Sequence, residues 1–235
     1  MTAKNKTVAG CAAGVRGFAA TCVLSLLVLA SMAYAGEPTP TITFSLDFPQ
    51  SNPEHYSITV QADGRARYES SGKMSADAET SDSYEAEFRF SEPNRARIFD
   101  LAAQAHYFSG KIDAGKKNMA FTGAKKLGYS DGQRISSAEY NVSNVPAVEQ
   151  LTALFQNVST TMEFGRRLAY FHRYQKLALD DELKQMEDQA RRGELAELQA
   201  VKPVLQEIYD DNSVLKTVRA RAGRIMQMPA SPAVR

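Results

Sequence analysis

Cysteine is almost absent from this chain, and it occurs where it cannot hold a fold together: only Cys11 and Cys22 are present, both near the N-terminus. A disulfide framework is therefore excluded for everything beyond them, and stability has to come from an apolar core. Histidine is nearly as scarce. His55, His106 and His172 stand far apart with no second histidine or cysteine at ligand spacing, so a zinc site would have to assemble in space from scattered residues. An excess of one charge is missing too. The 28 cations face 27 anions, which leaves no argument for the concentrated basic surface that nucleic-acid binding requires. After Met32 no long apolar run occurs, whereas a membrane-spanning helix needs about 20 such residues.

The first residues have a different character. Lys4, Lys6 and Arg16 make a basic lead, Phe18 to Met32 is apolar, and Ala33-Tyr34-Ala35 is a small-x-small site. That is the pattern of a secretory signal peptide over residues 1–35, with cleavage expected between Ala35 and Gly36. Val8-Ala9-Gly10-Cys11 resembles a lipoprotein acylation site but precedes the apolar region, where such a cysteine must follow it, so lipidation is rejected. Cleavage removes both cysteines and leaves 200 residues with 25 cations against 27 anions, a net charge of −2. A periplasmic or secreted chain with no remaining membrane span is expected.

Residues 36–41 read as an exposed leader, because Pro38 and Pro40 forbid helix and withhold two ladder donors. Ile42, Phe44, Leu46 and Phe48 predict a first strand, and Tyr56, Ile58, Val60 and Ala62 a second. Asp63-Gly64 predicts a tight hairpin turn into a third strand over Arg65 to Ser70. A loop over Ser70 to Ser83 follows. Then Tyr84, Ala86, Phe88 and Phe90 alternate with polar residues, the pattern of a strand with one face in a core, and 84–108 is the expected centre of the fold. Ser91 is expected to cap the next helix, with Pro93 in its first turn. Ile98, Leu101, Ala102 and Ala105 fall at i, i+3, i+4 and i+7, a stripe to be packed on the sheet and closed by Tyr107 and Phe108.

After an irregular stretch over 109–123, Lys125 to Ser130 and Gln133 to Val142 predict a second hairpin about Asp131-Gly132. Pro146 opens a helix with its stripe at Val148, Leu151, Leu154, Phe155 and Val158. Beyond Asn157 the chain turns helical and charged. Leu168, Phe171, Leu179, Leu183, Met186 and Ala190 keep three-and-four spacing to a stop at Gly193. Leu198, Val201, Leu205 and Ile208 continue past a bend at Pro203, and Asp211-Asn212-Ser213 precedes a last helix with Leu215, Val218, Ala222 and Ile225. The expected class is α+β: a small antiparallel sheet with packed helices over 42–160, a helical hairpin or trio over 161–228, and a disordered tail over 229–235.

The succession of Tyr56-Ser57-Ile58-Thr59-Val60, Asp63-Gly64, Tyr68-Glu69, strand, helix, Tyr107-Phe108, hairpin and closing helix resembles a bacterial exported domain family of unknown function over about Ile42 to Asn157. The resemblance implies a small sheet-plus-helix fold and an envelope location, and it implies no chemistry. Many members of that family carry cysteines just before the Tyr-Ser strand. This chain has Pro53-Glu54 there, so no role of those cysteines is carried over.

Several strings imitate catalytic motifs. Gly128-Tyr129-Ser130-Asp131-Gly132 matches a nucleophile elbow, but the elbow needs a buried strand before it and a helix after it, whereas Lys125 and Lys126 precede and strand continues. Gly110 to Gly115-Lys116-Lys117 nearly matches a phosphate-binding loop, but Lys117 stands where a hydroxyl must hold the metal. Asp180, Asp181 and Glu182 are consecutive, so they splay around a helix as a solvated face. Lys216, Arg219, Arg221 and Arg224 on the last helix suit anionic lipid, an acidic partner or the helix dipole. No catalytic, cofactor-binding or metal residue is nominated. The expected function is a non-enzymatic envelope module that binds another envelope protein; the alternative is an envelope hydrolase whose site, from Ser130 or a carboxylate cluster, assembles only in the fold.

Overall fold

The computed structural model describes residues 1–2, 39–49, 51–74, 79–115 and 119–229. The signal-like segment with Ala35 and Gly36, the Lys116-Lys117 pair and the tail from residue 230 lie outside them. Residues Pro38–Arg235 form one compact unit.

Period-two alternation produces six strands: β1 (Thr41–Asp47), β2 (His55–Gln61), β3 (Arg65–Gly72), β4 (Asp82–Arg89), β5 (Ala124–Ser130) and β6 (Ile135–Tyr140). They form one antiparallel sheet in the order β4-β3-β2-β1-β5-β6. Among the described residues five α-helices follow from the 3.6-residue stripes: α1 (Glu92–Gln104), α2 (Pro146–Tyr174), α3 (Leu179–Arg192), α4 (Lys202–Asp210) and α5 (Lys216–Met226). The class is α+β.

Ile42, Phe44, Ile58 and Leu127 point from the central strands into the core and are fully buried. There they meet α1 and α2, with Phe155 stacked on Phe44 at a ring separation of 5.1 Å. Burying each such side chain contributes roughly 1.5–3 kcal/mol. Helix α2 then leaves the single-stripe pattern, because six consecutive residues from Thr161 to Arg166 are all buried. Such a helix is enclosed on every side. Gly165 permits the enclosure: a Cβ there would lie 2.5 Å from Cγ1 of Val201, in the 3₁₀ turn Leu198–Val201. The stretch that encloses α2 begins with α3 and ends with α5, whose Val218, Ala222 and Ile225 are buried as their spacing predicts.

A polar seam lies inside this contact. Glu163 of α2 is buried and accepts hydrogen bonds from the hydroxyls of Tyr68 at 2.9 Å and Ser70 at 2.6 Å. Tyr68 also meets Ser159 at 3.0 Å. Arg166, equally buried, donates from Nη2 to the carbonyls of Gly72 at 3.1 Å and Asp82 at 3.0 Å, and its Nη1 lies 3.6 Å from Glu163. A buried charge is tolerated only when donors and acceptors surround it, so these contacts hold α2 in one position over β3 and β4.

Five expectations change. The strand expected at the centre is β4, an edge strand whose Tyr84, Ala86 and Phe88 are only half-buried, while β1 is central. Ser91 makes no cap hydrogen bond to its own helix. Instead Glu197, fully buried, accepts from the Ser91 N–H and hydroxyl, each at 2.8 Å, so a carboxylate from distant sequence satisfies the positive end of α1. The first hairpin closes with Gly64 N–H donating to the Gln61 carbonyl at 2.8 Å, a three-residue loop over 62–64, and in the second the tip is Gly132-Gln133, one residue later than expected. The long helical stripe breaks at Gln175 between α2 and α3, and Pro203 stands in the first turn of α4 instead of bending a longer helix. The expected boundary between 160 and 161 falls inside the continuous helix α2.

That last difference gives the first prediction. A chain ended at Thr160 loses Met162, Phe164 and Leu168 from the core together with Glu163 and Arg166, so it should keep strand content by circular dichroism yet melt without a cooperative transition. A sharp transition from that truncation would establish the sheet as an independent domain.

Candidate functional site

The described helices cover one face of the sheet, and alternation sends the other residues of every strand to the opposite face, which no described helix covers. In the middle of that face hydroxyls meet across strands, with Thr43 opposite Thr59 and Ser45 opposite Ser57. Gly128 of β5 lies beneath Thr43, whose Oγ1 would stand 2.5 Å from any Cβ added there. Toward β4 the face becomes charged. Arg67 pairs with Glu69 at 2.7 Å and Glu85 at 2.9 Å, all three side chains about half exposed. An open hollow of about 600 Å³ is lined there by Thr59, Gln61, Arg65, Arg67, Glu69 and Glu87. Ion pairs this exposed are worth about 0–1 kcal/mol, so they can exchange partners at little cost to the fold.

A second open hollow of about 430 Å³ lies at the other end of the sheet, beside α2, lined by Lys125, Tyr140, Asn141, Glu149 and Thr152 among others. Lys125 is buried, and its ammonium donates to the carbonyls of Thr122 at 3.1 Å, Gly123 at 3.3 Å and Asn141 at 2.9 Å and to the Thr122 hydroxyl at 2.9 Å. Burial lowers its pKa. Four oxygens surround three N–H donors, so the lysine staples the 122–123 segment to residue 141 and has no N–H to spare for a ligand. Beside it Tyr140 shares a 2.6 Å hydrogen bond with Thr152, and burial pushes its phenol up to about 12. Sequence reasoning missed Lys125 as an inward residue, although the parity of β5 carries the signal: it shares a face with Leu127 and Tyr129.

A third feature follows α1. His106, Tyr107 and Phe108 all adopt left-handed backbone, with φ of 50°, 54° and 63°. Each costs of order 1–3 kcal/mol unless the surroundings enforce it. Here they do: Phe108 is buried, Ser136 donates its hydroxyl to the Tyr107 carbonyl, and the Tyr107 ring lies 4.5 Å from Tyr129 with the Arg134 guanidinium 4.3 Å above it.

The residues that imitate motifs are dispersed. Ser130 ends β5, paired with Thr41 and Ile135, and the chain turns directly into a hairpin, so the strand-to-helix elbow is not formed. His55 meets Asp47 at 2.6 Å and His172 meets Asp211 at 3.0 Å. Among the described residues no group of three or more metal-ligating side chains converges. The acidic run is a solvated face only in part: Asp181 is exposed and the Asp180 side chain, which accepts from Arg221, is half exposed, but Glu182 is buried and pairs with Arg167 at 2.7 Å. Two of the basic residues on α5 are paired within the chain, because Glu187, buried on α3, accepts from Arg221 at 3.2 Å and from the half-exposed Arg224 at 2.9 Å. The arginines hold the Glu187 carboxyl below its usual range. Arg219 donates to the Tyr209 carbonyl at 2.7 Å, and Lys216 remains exposed.

No protein-family model matches the chain, and no curated protein matches it.

Two predictions follow from this geometry. Gly132 has φ of 86°, so Gly132→Val should cost on the order of 1 kcal/mol or more, whereas Ser130→Ala should stay within about 0.5 kcal/mol and Ser130 should resist a serine-directed phosphonate. Labelling of Ser130 would restore the hydrolase. The other concerns alkaline pH. Burial raises the phenols of Tyr56, Tyr68 and Tyr140, so each stabilises the fold fully below an unfolded pKa of about 10, and that contribution is lost as pH climbs through the folded value. Lys125 acts in the opposite sense as pH nears its ordinary 10.5, but it is one group against three. Melting temperature should therefore fall from about pH 10 to about 12, with the tyrosinate absorbance of the three buried phenols appearing only as the chain unfolds. Full ionisation of these phenols near pH 10 in a folded chain would contradict the burial.

Proposed function

We propose that the chain is exported and works, without catalysis, by binding another envelope protein on the uncovered face of its sheet. The observation that carries this reading is the division of the sheet into one face sealed by helices and one face of hydroxyls and exchangeable charges, hollowed over β2 to β4. Such a face suits a polar, charged partner surface. The basic lead, apolar run and Ala33-Tyr34-Ala35 site support export, and the resemblance to an exported domain family agrees with it. A hydrolase would instead require convergent titratable groups in a deep cleft, and Ser130 faces a hairpin turn.

The test is made in cells. The chain recovered from the envelope should begin at Gly36, and a photo-crosslinker at Thr59 or Arg67 should give adducts with an envelope protein that one at exposed Gln206, on α4, does not. A chain still beginning near Met1 in the cytosol removes the envelope assignment. Adducts absent at Thr59 and Arg67 remove the binding face.

A further inference from the structure

We draw no further inference here: the strongest candidate, the row of Asp47, His55 and Ser71 that β1, β2 and β3 bring side by side on the face no described helix covers, carries nothing, because only the Asp47–His55 contact at 2.6 Å is formed, both of its side chains are about half exposed, and among the described residues Ser71 makes no hydrogen bond to His55.

Discussion

The enclosure of α2 is the constraint on which the other elements depend. Its first half needs only one buried stripe, which the sheet supplies, with Phe155 on Phe44. Its second half is buried all round from Thr161 to Arg166, and one sheet cannot cover two sides of a helix. The remaining helices exist to cover the other side, and Gly165 lets the Val201 turn reach the helix backbone. Glu163 and Arg166 make the arrangement specific. A slide of one turn along the sheet would take Glu163 from the Tyr68 and Ser70 hydroxyls and leave a carboxylate buried without donors, a penalty of several kcal/mol.

The strands and helices were legible because each obeys a local period. Ile42, Phe44 and Leu46 alternate, and Ile98, Leu101, Ala102 and Ala105 recur on one helix face, so burial followed from spacing alone. Strand order was not legible. Tyr84, Ala86 and Phe88 have the alternation of a central strand, yet β4 is at the edge, since period-two patterning reports which face is buried and not how many neighbours a strand has. The cap on α1 escaped for a related reason. Ser91 has the right chemistry and position, but its hydroxyl and its N–H both donate to the buried Glu197, so its side chain serves as a donor to that carboxylate and the carboxylate sits at the positive end of the helix dipole. Local signals fail where a distant residue offers a stronger partner.

The same distinction runs through the candidate site. Lys125 was taken as a mark of exposure because lysine is charged, but parity had already placed it inward, and the carbonyls around it are loop residues whose positions no local rule supplies. The left-handed turn at His106, Tyr107 and Phe108 is invisible in sequence, because Tyr107 and Phe108 do not favour that backbone and one histidine beside them is no signal for it. It is imposed by the contacts at both ends. Phe108 fills the core and Ser136 holds the Tyr107 carbonyl, which sets the Tyr107 ring beneath Arg134 at the start of β6.

Charge is used in two ways in this chain, and the difference separates scaffold from surface. Glu163, Glu182, Glu187 and Glu197 are buried, and each is committed to donors from another part of the chain. Removing a donor from such a carboxylate strands a charge, so these residues cannot change partners without loosening the fold. Arg67, Glu69 and Glu85 are about half exposed, and water replaces any contact they give up. Only the second kind is free to meet another molecule at little cost to stability. The β2–β4 end of the uncovered face is built from it, whereas the helix-covered side is held by the first.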